Sequence, residues 1–134
     1  MTASLPVVRR LVGVYDADGT AWGELRYWVG ARLGRAHCAL CDITHGLVRE
    51  RAVWRSCRDG LPVAFATYHR DDRPAGVRAA SGERVPSVLA ETDEGYLVLL
   101  GPEEIERCGG SGTALVTAVR SAAGAAGLVL DVQP

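Results

Sequence analysis

The chain holds four cysteines and three histidines, and they are not spread evenly. The stretch His37-Cys38-Ala39-Leu40-Cys41-Asp42-Ile43-Thr44-His45 gathers two of each within nine residues. A thiolate is the reactive and metal-binding form of cysteine, and a helix N-terminus or a neighbouring imidazolium lowers the thiol pKa. Cys38 and Cys41, spaced Cys-x-x-Cys, can chelate one ion through a tight turn. His45 reaches the same ion if a helix begins there. His37, Cys57 or His69 can complete a tetrahedral Cys₂His₂ or Cys₃His set. Such a set suits zinc or copper(I). The same two sulfurs can instead cycle as a dithiol–disulfide couple, with Cys38 or Cys41 as the nucleophile on a thiol substrate. An open coordination position would make the metal part of an enzyme. A plain packing role is the remaining alternative.

The other candidate residues have simpler readings. Cys57 reads as a small buried hydrophobe, and Cys108, just before a glycine run, as structural. His69 ends a predicted strand. Asp16 and Asp18 read as turn and helix-capping residues. Trp22, Trp28 and Trp54 read as core or interface aromatics. Gly109-Gly110-Ser111-Gly112 lacks the Gly-Lys-Ser/Thr ending of a phosphate-binding loop.

Composition narrows the classes. At 134 residues, 48% hydrophobic, the chain reads as a single domain over 1–134 with a core that needs no disulfide stapling. Fifteen basic and 16 acidic residues leave a net charge of -1, with no basic excess for nucleic acid or an anionic membrane. Every basic residue is arginine, as in GC-rich bacterial coding, which removes lysine nucleophiles. No signal peptide or membrane-length apolar run is apparent, so the expected location is the cytoplasm. There, Cys-x-x-Cys more often means metal or redox work than a structural bridge.

These residues need elements to hold them. Val7 to Tyr15 reads as a strand, and Asp16-Ala17-Asp18-Gly19 as a turn. Trp22, Leu25, Trp28, Val29 and Leu33 recur at helical spacing. The loop from Arg35 to Gly46 carries the cysteines and histidines. A second helix is expected from about Leu47 to Arg58, and Val63 to Tyr68 reads as a buried parallel strand. His69 to Arg84 reads as a loop. Val85–Glu91 and Tyr96–Leu100 form an expected hairpin. A third helix opens at Pro102, is interrupted by the glycines, and resumes from Thr113 to Ala126.

This α/β order, with two parallel strands, a C-terminal hairpin and about three helices, resembles a thioredoxin-like fold. Val85-Pro86-Ser87-Val88 adds to the likeness, because that fold carries a cis-proline just before its first hairpin strand. Val14-Tyr15-Asp16-Ala17-Asp18 also resembles the opening strand and acidic turn of the DCC-type thiol-disulfide oxidoreductases. Their two cysteines would fall near Gly19 and Trp22, so this chain lacks the family's usual pair and carries its Cys-x-x-Cys in a loop after the first helix. About 12 residues span up to roughly 40 Å when extended, enough to return the chain to the carboxyl ends of the strands. Cys41, His45, Asp16, Asp18, His69 and Pro86 are therefore expected at one edge, where ligands of open α/β sheets gather.

Overall fold

The computed structural model describes residues 6–16, 40 and 52–130. Within them, strand β1 (Arg10–Tyr15) is followed by helix α1 (Ala52–Asp59), strand β2 (Ala64–His69) and helix α2 (Ala75–Ser81). Strands β3 (Ser87–Thr92) and β4 (Gly95–Leu100), then helices α3 (Pro102–Glu106) and α4 (Gly112–Ala125), complete the α/β arrangement.

The four strands form one mixed sheet in the order β2-β1-β3-β4. β1 runs parallel to β2 and antiparallel to β3, and β3 pairs antiparallel with β4. β1 is buried on both faces because its side chains alternate between two apolar layers. Leu11 and Tyr15 join Leu40, Trp54, Ile105, Leu115 and Val119 in the larger core. Val12 and Val14 face the other way, with Val77 of α2 and Leu89 of β3. Helices thus cover both faces, with α1 against α4 in the larger core and α2 against β3 and β4.

Gly13 is the closest approach in this packing. A Cβ there would sit 2.8 Å from Phe65 Cε1 and 3.3 Å from Leu40 Cδ2, so only glycine lets both side chains reach the sheet. Trp54 of α1 meets the Phe65 ring edge-on, centroids 5.1 Å apart, over the same region.

Several elements differ from the sequence expectation. The strand expected from Val7 begins at Arg10. Val7 instead makes an isolated parallel bridge to Val129, with Val8 N–H donating to the Val129 carbonyl at 2.8 Å. The hairpin strand expected from Val85 starts at Ser87, since Pro86 has no N–H to donate and the Val85–Pro86 bond is cis.

The segment His69 to Arg84 is not a loop throughout, because it contains α2. Its sequence shows little period, since only Val77 and Ser81 are buried, and packing against Val12, Val14 and Leu89 supplies what periodicity does not. Among the described residues there are thus four helices where about three were expected over the whole chain. β2 is parallel, as expected, but lies at the sheet edge and is only partly buried.

Candidate functional site

Strand register decides which residues meet. Tyr15 pairs with His69 across β1 and β2, and Val14 pairs with Ser87 across β1 and β3. Asp16, His69 and Pro86 therefore share the carboxyl edge of β1, as the sequence predicts. Asp18, His37, Cys38, Cys41 and His45 lie outside the described residues.

Leu40, between the two motif cysteines, is described. It has helical backbone, is 0% exposed, and packs over Gly13 on the face of the sheet that also carries Tyr15. Parallel partners project to the same face, so His69 stands on that face too. Its ring lies against Tyr15, centroids 5.5 Å apart and tilted by 50°.

Asp72 organises His69 through two contacts. Its Oδ1 accepts the His69 backbone N–H at 2.6 Å, and its Oδ2 lies 3.1 Å from His69 Nδ1. A carboxylate only accepts, so Nδ1 carries the proton and the neutral ring directs its lone pair to Nε2. This imidazole is set in one tautomer and one orientation. The His69-Arg70-Asp71-Asp72 spacing was available in the sequence, but its meaning depends on a turn that closes straight after the strand, with Asp72 N–H donating to the His69 carbonyl at 3.3 Å.

The neighbouring charges are largely structural. Asp16 Oδ1 lies 3.2 Å from Arg70 Nη1, which fits its reading as a turn residue. Arg73 Nε donates to the Arg70 carbonyl at 3.0 Å, while Nη1 donates to Ser81 Oγ and the Gly82 carbonyl, each at 2.8 Å. Those bonds clamp the turn after β2 onto the end of α2. Burial, followed by the charges of Arg78 and Arg70, holds the Arg73 guanidinium below its ordinary pKa.

The two described cysteines lie elsewhere. Cys57, half-buried on α1, places Sγ 3.8 Å from Thr113 Oγ1 at the start of α4. Cys108 is buried and its thiol donates to the Glu104 carbonyl at 3.5 Å. Burial pushes the Cys108 thiol pKa up, so it remains protonated and unreactive at neutral pH. Both match their simpler sequence readings, as does Trp54 in the core. A groove of about 420 Å³ between β4, α3 and α4 is lined chiefly by Leu99, Leu100, Ala118 and Ala122, with Glu104 and Arg107. It lies away from the His69 edge.

Ser87 is fully buried beside Pro86, and its Oγ has no hydrogen-bond partner. An unsatisfied buried hydroxyl is a net cost to folding. Ser87→Ala is accordingly expected to leave stability unchanged or raise it by up to about 1 kcal/mol in urea unfolding. A loss larger than that would mean the hydroxyl has a partner.

No family model matches the sequence, and neither a curated protein nor a solved structure matches it significantly. Among the described residues, no group of three or more His, Cys, Asp or Glu side chains is arranged to hold a metal, and no helix is long and apolar enough to cross a membrane.

Proposed function

We propose that this is a cytoplasmic, thioredoxin-like protein that holds a thiophilic metal, zinc or copper(I), through Cys38, Cys41 and His45, with His37 as candidate fourth donor. The carrying observation is Leu40. The residue between the two cysteines is fully buried over Gly13, two positions from the Tyr15–His69 row. A metal site requires its ligands to be tied to a rigid frame, and Leu40 supplies an apolar anchor inside the motif itself. Paired thiolates with imidazole then bind the ion at roughly 2.3 Å for sulfur and 2.0–2.1 Å for nitrogen.

A second reading has its own support. The order β2-β1-β3-β4, with Pro86 preceding β3 at the carboxyl edge of β1, is the frame on which thioredoxin-like dithiols work. In that reading Cys38 and Cys41 exchange with a thiol substrate, and no resident metal is needed.

Elemental analysis of the purified protein, combined with thiol counting, separates the two. The first reading predicts about one zinc or copper per chain, with two further thiols becoming reactive when a chelator removes it. Metal-free protein that gains and loses one disulfide per chain would overturn it in favour of the second.

A further inference from the structure

The Asp72–His69 pair is the most ordered polar arrangement at the carboxyl edge, and the metal reading above does not yet use it. We propose that His69 Nε2 is the fourth ligand of the metal held by Cys38 and Cys41, and that Asp72 is the positioning residue that aims it. The inference rests on that metal reading and selects among its possible fourth donors.

Three observations carry it. The first is tautomer and orientation: Asp72 grips both the backbone N–H and Nδ1 of His69, which sets the lone pair on Nε2. Metal-bound histidines are characteristically held this way, their second nitrogen donating to a carboxylate. The second is placement. Leu40 contacts the sheet at Gly13, on the face that carries His69. Gly13 and Tyr15 are two residues apart on β1, and His69 is the register partner of Tyr15. Standard strand dimensions put the Leu40 contact point within about 8 Å of the His69 backbone. Cys41 follows Leu40 by one peptide unit, about 3.8 Å between Cα atoms. The third is elimination among described donors. Cys57 points its sulfur toward Thr113 on the α1–α4 side, and the buried Cys108 thiol is given to the Glu104 carbonyl. Neither belongs to the carboxyl edge.

The Tyr15 ring stacked on His69 limits its rotation further. A preset imidazole loses little conformational freedom on ligation, which favours it over a donor that must be ordered as the metal binds.

The test uses the full chain, titrated with Zn²⁺ against a competing chelator and with Co²⁺ followed by absorption. His69→Gln is expected to weaken zinc binding by at least about 100-fold, and Asp72→Asn by about 10- to 100-fold. His37→Gln should stay within about threefold of the parent. In the His69→Gln protein the thiolate-to-cobalt charge-transfer band should persist while the d–d bands shift and weaken, as water replaces nitrogen. A purely structural role for His69 would leave that spectrum unchanged. If His69→Gln binds with parental affinity and spectrum, while Cys38→Ala/Cys41→Ala loses the metal, the inference fails and the metal reading stands. If the parent takes up no metal, or the double cysteine variant binds it as well as the parent, both fail.

Discussion

Replacing Cys38 and Cys41 together by alanine is expected to abolish stoichiometric metal binding, with a loss in affinity of more than about 1,000-fold. The size follows from what is removed. Structural zinc in small Cys/His sites binds with roughly 10–16 kcal/mol apparent free energy. Each tenfold in affinity is about 1.4 kcal/mol, so losing two thiolates readily removes three decades. The sheet itself should survive. Leu11, Val12, Val14, Val88 and Leu89 are all 0% exposed and pack without any metal ligand among them. The variant should therefore remain folded, with a lower melting temperature only when metal is present, since a ligand bound by the native state alone stabilises by mass action. Metal content by mass spectrometry, with circular dichroism as the folding control, reads both. Unchanged metal content would contradict the assignment of the cysteines.

Leu40→Ala should be the most costly single change in the motif, destabilising the protein by about 2–5 kcal/mol, the range for deleting a fully buried leucine. The side chain belongs to the cluster with Leu11, Tyr15 and Trp54, and fills the space that Gly13 leaves open. Gly13→Ala attacks the same contact from the other side. Its Cβ would press on Phe65 Cε1 and Leu40 Cδ2, an overpacking worth typically about 1–3 kcal/mol. The combined variant should lose less than the sum, because truncating Leu40 frees part of the space that the methyl added at Gly13 needs. Urea unfolding provides the measurement, and Leu97→Ala, at a side chain 44% exposed on the edge strand β4, is the control expected to change little. A Leu40→Ala cost below about 0.5 kcal/mol would be surface behaviour and would remove the anchor on which the site rests.

The elements that could be read from the chain are those whose local chemistry is unambiguous. β1 is an apolar, β-branched run ended by Asp16, and the β3–β4 hairpin is set by Thr92-Asp93-Glu94-Gly95, with Gly95 at φ 119°. Thr92 Oγ1 accepts the Glu94 N–H at 3.0 Å within that turn. α4 begins where Ser111 accepts the Ala114 N–H, just after the glycines that interrupt the helical pattern.

What escaped depends on tertiary partners. α2 offers Ala75-Gly76-Val77-Arg78-Ala79-Ala80-Ser81, with two buried positions, and Gly76 is present because the Tyr96 ring lies where a Cβ would go. Nothing within seven residues announces a ring from another strand. β2 reads as buried because apolar composition does not reveal how many neighbours a strand has, and it lies at the edge. The shared edge of Asp16, His69 and Pro86 followed from chain order, whereas the Asp72 grip on His69 needed the geometry of a turn. The anchoring of Leu40 was the least legible of all, since it depends on a glycine 27 positions earlier in the chain.

X-ray absorption at the metal edge of the purified protein tests the central claim most directly. A thiolate–imidazole centre predicts two sulfur scatterers at about 2.3 Å and two nitrogen scatterers at about 2.0–2.1 Å for zinc. A metal shell built only of light oxygen or nitrogen scatterers, or protein with no metal at all, would contradict it.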